Sequence, residues 1–205
     1  MKISLAIIEA FEKRYRGAFI NSLTGFKSVN LVGTISKVGN HNLAIFSQVF
    51  HLGADPALIG MIVRPHVTPR HTLENLMETG FYTLNHLNES IYEQAHQTSA
   101  RYEEGVSEFE ATDLNPVFID SFPAPYVTES EVKIGLKFEQ KLDLEINKTV
   151  LIIGSIQEVH LAESLVGEDG FVDLEQAGTV TSSGLDSYHR TQKLARLPYA
   201  KVGEE

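Results

Sequence analysis

Three short runs of β-branched and aromatic residues, Val29 to Ser36, Asn42 to Phe50 and Leu58 to Arg64, follow one another with only short breaks between them. The breaks hold Gly39-Asn40 and Gly53-Ala54-Asp55-Pro56, residues that favour turns for definite steric reasons, so the runs read as successive strands. Further on, Val132, Ile134, Leu136 and Phe138 alternate with Lys133, Gly135, Lys137 and Glu139, the period-2 signature of a half-buried strand. Thr149 to His160 reads as its partner across a turn at Ile146-Asn147-Lys148. Such a chain is mainly β with helices, a β-barrel of antiparallel strands whose ends the helices cover.

The helical segments are few. Ile3, Ile7, Ile8 and Phe11 predict one short helix within residues 1–15. Thr68-Pro69 offers an N-cap and a first-position proline, and Leu73, Leu76 and Met77 recur at helical spacing until Gly80 stops the run. Phe81 to Leu87 returns to strand character, and Ile91 to Ala100 fits a further helix. The acidic segment Glu103 to Tyr126, with Pro116, Pro123 and Pro125, reads as a covering loop. Residues 185–205 read as a strand and an extended arm. With 205 residues, no internal repeat and no composition break, residues 1–205 are expected to form a single domain.

Composition narrows the chemistry. The chain has no Cys, so a thiolate nucleophile, a Cys-ligated zinc and an iron-sulfur cluster are excluded, and any redox work rides on a borrowed cofactor. A net charge of -10 argues against nucleic-acid binding. Its distribution is uneven: residues 13 to 72 hold seven bases against Asp55 alone, a balance of +6, whereas residues 88 to 145 carry -9. Such a basic first third can concentrate an anionic ligand, although solvated faces cluster charge in the same way. No secretory leader pattern and no apolar run long enough for a membrane span are present, so a cytoplasmic setting is expected.

Several signatures are missing. There is no G-x-G-x-x-G after a strand, no phosphate loop of the Walker type, no G-x-S-x-G elbow and no H-E-x-x-H. No metal ligand set and no catalytic acid, base or nucleophile is assigned. What is present is Arg64-Pro-His-Val-Thr-Pro-Arg-His-Thr72, which sets Arg64, His66, Arg70, His71 and Thr72 at the start of a predicted helix. Free backbone N–H groups and the positive dipole end favour a phosphate there, and Arg70 adds a charge-assisted fork. The same residues suit a capped surface helix equally well. Asn42-Leu-Ala-Ile-Phe-Ser47 is a strand carrying amide and hydroxyl groups that would suit a flat heterocycle, or merely a turn and a neighbouring strand.

Taken in order, Gly25-Phe-Lys-Ser-Val-Asn-Leu-Val-Gly-Thr34, Asn42-Leu-Ala-Ile-Phe-Ser47, Asp55-Pro56, Arg70-His-Thr72, Asn75 and Asn85 resemble the flavin reductase-like family of the FMN-binding split barrel. His96-Gln-Thr-Ser-Ala-Arg-Tyr102, Ser107-Glu-Phe109 and Leu197-Pro-Tyr-Ala200 resemble its flavoredoxin-type branch, so the likeness spans roughly residues 15 to 200. The resemblance implies Greek-key antiparallel strands with covering helices, and a homodimer holding FMN, less often FAD, near the subunit interface. It implies Asn42, Leu43, Ala44 and Ser47 along the isoalloxazine and ribityl side, Arg70, His71 and Thr72 at the phosphate, and Asn30 and Thr34 on the adjoining strand. Tyr188, with His189 and Arg190, closes over the flavin or reaches the partner subunit, and Lys27 reads as a solvated turn lysine. The implied activity is hydride transfer from NAD(P)H to flavin by a flavin reductase. Two alternatives remain: an FMN-binding electron carrier without efficient NAD(P)H oxidation, and a divergent split barrel that binds another ligand.

Overall fold

The computed structural model describes residues 1–65, 70–102 and 105–203. It begins with α1 (Leu5–Ala10) and α2 (Lys13–Leu23), where the sequence pattern predicts a single helix within 1–15. The Glu12 carboxylate caps α2 by accepting the Arg14 and Tyr15 N–H groups at 2.8 and 3.2 Å, a local signal that apolar spacing misses. Then come β1 (Lys27–Ser28), β2 (Asn30–Ile35), β3 (His41–Phe46), β4 (Val49–Ala54) and β5 (Ala57–Val63). The second part contains α3 (His71–Thr79), β6 (Phe81–His86), α4 (Tyr92–Gln97), α5 (Glu108–Ala111), β7 (Pro116–Val117) and β8 (Tyr126–Val127). The long hairpin β9 (Lys133–Leu144) and β10 (Thr149–His160) and the small strands β11 (Thr181–Ser183) and β12 (Ser187–His189) complete the order. Thr68 and Pro69, read as a cap, lie outside the described residues, and the residue that precedes α3 is Arg70. Gly80 ends α3 as expected, with φ at 82° and its N–H donated to the Leu76 carbonyl.

Seven strands form one antiparallel sheet in the order β3-β2-β6-β9-β10-β5-β4. Because the directions alternate across seven strands, the two edges β3 and β4 run the same way, and only Ser47 and Gln48 separate them in the chain. The predicted strand Asn42 to Phe50 is therefore nearly one path that pairs first with β2 and then with β5. The chain itself bridges the two edges, but no ladder joins β3 to β4 among the described residues, and the sheet is not closed. β6 returns to lie beside β2 after the β2, β3/β4, β5 succession, which is Greek-key order.

Two apolar clusters lie on either side of the β2–β3 wall. Val32, Met61, Val63, Leu73, Leu76, Tyr82, Leu136 and Ile152 fill the interior, with α3 seated over β2, β3 and β6. Val29, Leu31, Leu43, Leu87, Ile91 and Phe109 pack outside the wall under α4 and α5. Gly33 lets the Pro125 carbonyl and the Thr83 hydroxyl approach β2 too closely for any Cβ. The acidic segment read as a loop does cover this wall, although it also contains α5 and the β7–β8 ladder.

Candidate functional site around the start of α3

The alternation of β2 and β3 turns Thr34 and Asn42, directly paired across the ladder, toward the α3 side. Thr72 and Asn75 stand three residues apart on α3 and so share one helix face. The four side chains meet there. The Asn42 amide donates to Thr72 Oγ1 at 3.0 Å and lies 3.3 Å from Thr34 Oγ1, while Asn75 Nδ2 donates to Thr34 Oγ1 at 3.2 Å. All four residues are buried. A polar group out of water costs free energy unless it is bonded, so this cluster fixes the start of α3 against the end of β2 and β3.

Arg70 stands beside it. Its backbone N–H donates to the Glu74 carboxylate at 3.1 Å, but its buried guanidinium Nε has no partner among the described residues. Among the described residues no side-chain cap serves the helix either, so the first-turn N–H groups of α3 begin beside Arg70, where an anion would satisfy them. This orphaned donor fits the phosphate end of a flavin nucleotide. His66, predicted in the same segment, lies outside the described residues. Arg64 is exposed and follows β5.

The outer edge of β3 carries a second feature. The Leu43 N–H donates to the Glu108 carboxylate at 3.1 Å, which fastens α5 alongside the strand. Burial raises the pKa of the Glu108 carboxyl, while that bond and the nearby His71 pull it back down. The buried Ser107 hydroxyl, next in the chain, has no partner among the described residues. Glu108 and Asn75 receive no role from residue type alone. The available signal for Asn75 is its helical spacing from Thr72; for Glu108, whose bond joins positions 65 residues apart, no local signal exists.

The remaining predicted positions spread out. Ala44 and Ser47 are half-buried along β3 and its exit, with Ser47 roughly 16 Å of strand from Asn42. Asn30 is buried but lies at the far end of β2, roughly 13 Å along the strand from Thr34, opposite Phe46. Tyr188 is on the other face of the wall, packed with the cluster that holds Leu43, and its hydroxyl is 2.9 Å from His96 Nδ1. Lys27 is committed elsewhere, donating to the Asn21 and Gly184 carbonyls at 3.2 and 2.8 Å. The structure therefore gathers Thr34, Asn42, Arg70, His71 and Thr72 at one end of β2 and β3, with Leu43, Ala44 and Ser47 leading away.

An open Greek-key barrel with α3 seated against its β2–β3 edge is a split barrel. Residues 26–175 match the flavin reductase like domain, and the chain belongs to that family. A flavin reductase-like split barrel protein of Shewanella frigidimarina is 55% identical, with 98% of this chain and 100% of that chain covered and a TM-score of 0.95. Nitrilotriacetate monooxygenase component B of Bacillus cereus is 22% identical over 96% of this chain and 98% of its own, with a TM-score of 0.84. The flavoredoxin of Desulfovibrio vulgaris is 21% identical over the full length of both chains, with a TM-score of 0.77. The last two share the fold.

Proposed function

We propose that this chain is an FMN-binding oxidoreductase, a flavin reductase that takes hydride from NADH or NADPH. The observation that carries the reading is the orphaned Arg70 Nε at the uncapped start of α3, in a flavin reductase-like fold. Bound FMN, or less often FAD, supplies the hydride chemistry that no side chain of a Cys-free chain provides. Arg70, the first-turn N–H groups of α3, His71 and the Thr72 hydroxyl hold the phosphate. Asn42, Ala44 and Ser47 line the ribityl and ring side, and Thr34 anchors Asn42 from the adjoining strand; Leu43, expected beside them, is instead sealed into the outer cluster with its N–H bonded to Glu108. Asn30, remote from this end, orders the entry to β2. The role left to the protein is positioning and exclusion of water, so no catalytic acid, base or nucleophile is assigned.

Tyr188, across the wall from the Thr34 cluster, suits contact with a partner subunit better than closure over its own chain's flavin. The working unit is a homodimer in the cytoplasm, where reduced nicotinamide is plentiful. Steady-state oxidation of NADH and NADPH with added FMN tests the reaction. Turnover dependent on flavin is expected. A yellow protein without turnover would leave an electron carrier, and a colourless one that leaves flavin fluorescence unchanged on titration would defeat both.

A further inference from the structure

Beside the barrel, three short strands form a second sheet in the order β1-β11-β12. Its register pairs Ser28 with Thr181 and Thr181 with His189. Side chains alternate along a strand, so Ser28, Thr181, Ser183 and His189 share one face, and Phe26, two residues before Ser28, belongs to it as well. Lys27, Ser182 and Tyr188 occupy the other face, where Tyr188 packs against the outer apolar cluster. The first face borders the ring end of the proposed flavin site. The Ser28 hydroxyl donates to the Val49 carbonyl at 2.5 Å, and Val49 stands two residues past Ser47.

The chemistry of this face is specific. Ser183 Oγ lies 2.8 Å from His189 Nε2, and the Phe26 and His189 rings meet edge to face at 4.8 Å. With the Ser183 hydroxyl as donor, the imidazole proton sits on Nδ1, which has no partner among the described residues. The buried Thr181 hydroxyl beside it has none among them either. A donor held out of water costs free energy until an acceptor reaches it. Two unused donors suit a ligand oxygen, and Phe26, 69% exposed, offers an open aromatic face. Charge narrows the ligand further. Lys27 is spent on the two carbonyls already named, Arg190 is paired with Glu89, and Asp186 sits in the turn between β11 and β12. An anion or a dinucleotide pyrophosphate finds no unpaired cation among these residues, whereas a neutral carbonyl compound needs none.

We propose that this face binds the electron acceptor of the reaction, a flat neutral ring carrying a carbonyl oxygen, of which a quinone is the simplest. The inference names a substrate class for the proposed function and rests on it. His189 Nδ1–H and the Thr181 hydroxyl hold the carbonyl oxygen, and the lightly packed Phe26 ring turns aside to uncover Thr181 and lies along the ligand. Reduction of the quinone takes the hydride, which brings two electrons and one proton, and a second proton from water, leaving the hydroquinone. Equilibrium dialysis of the chain with FMN present tests the assignment, using menadione, a neutral naphthoquinone, and 2-methylnaphthalene, the same ring system without its oxygens. Menadione is expected to bind about 10-fold more tightly or better, the worth of its two hydrogen bonds, and to shift the His189 imidazole ¹⁵N signals. Thr181→Val and His189→Phe should each lower menadione affinity about 5- to 10-fold and leave 2-methylnaphthalene unaffected, while Phe26→Ala weakens both ligands. Circular dichroism and FMN titration check that each variant keeps its fold and its flavin site. Equal affinity for the two rings, unchanged menadione binding in Thr181→Val and His189→Phe, or N-methylnicotinamide bound in place of menadione with the same losses would each overturn the proposal. The two readings fail separately. Menadione bound by a chain that binds no FMN sinks only the function, and FMN-dependent NADH oxidation by a chain that ignores menadione sinks only the acceptor site.

Discussion

Arg70 and Lys27 are two cations of the same basic third of the chain, and their surroundings give them opposite roles. Lys27 spends its donors on two backbone carbonyls, whereas Arg70 keeps a buried Nε free. Arg70→Ala should therefore weaken FMN binding about 10- to 100-fold, the worth of a charge-assisted bond, and Lys27→Ala less than about 3-fold, measured by fluorescence titration. Equal, negligible losses would move the phosphate elsewhere. His86 makes a different prediction. Burial holds its imidazole down to about 4, although one edge of the residue keeps some contact with solvent. The folded state thus resists protonation that the unfolded chain accepts, so stability should fall as pH drops from about 6.5 to 4, by no more than about 3 kcal/mol. His86→Gln should flatten that part of the Tm profile; an unchanged slope would assign the acid sensitivity to other groups.

At the scale of elements, α5 is only four residues long and depends on what fastens it to β3. Replacing Glu108 by Ala leaves the Leu43 N–H without its acceptor, which should cost roughly 1–3 kcal/mol and speed hydrogen exchange at the Leu43 amide. Slow exchange retained in the variant would show that α5 holds the edge by packing alone. This tie joins residues distant in sequence, so it was not legible there, unlike the strands it joins. Period-2 alternation announces β9, and β-branched and apolar runs bounded by turn residues announce β2, β5 and β10. The break at Ser47-Gln48 has no such signal, because it comes from a change of partner, β2 to β5. β9 likewise runs on to Leu144, past the expected end at Glu139, because pairing with β10 carries Gln140, Lys141 and Asp143 along. α2 was hidden by Lys13, Arg14, Arg16 and Gly17, which dilute its apolar spacing.

For the molecule as a whole, the uneven charge and the missing cysteines bounded the chemistry before any fold was considered, and the order of weak motifs led to the family. Within the site, residue types on one strand or helix pointed to Asn42, Arg70 and Thr72, but the meeting of Thr34, Asn42, Thr72 and Asn75 exists only once α3 is laid across β2 and β3. The same assembly separates Tyr188 from that cluster by the thickness of the wall, which strand pattern alone cannot reveal. All of this converges on one claim, that the cradle at the start of α3 takes a flavin phosphate. Its most direct test is titration of the unaltered protein and of Arg70→Ala with FMN and with riboflavin, which lacks the phosphate. The account predicts that the unaltered protein binds FMN more tightly than riboflavin and that Arg70→Ala abolishes the difference; equal affinity for the two ligands in the unaltered protein would contradict it.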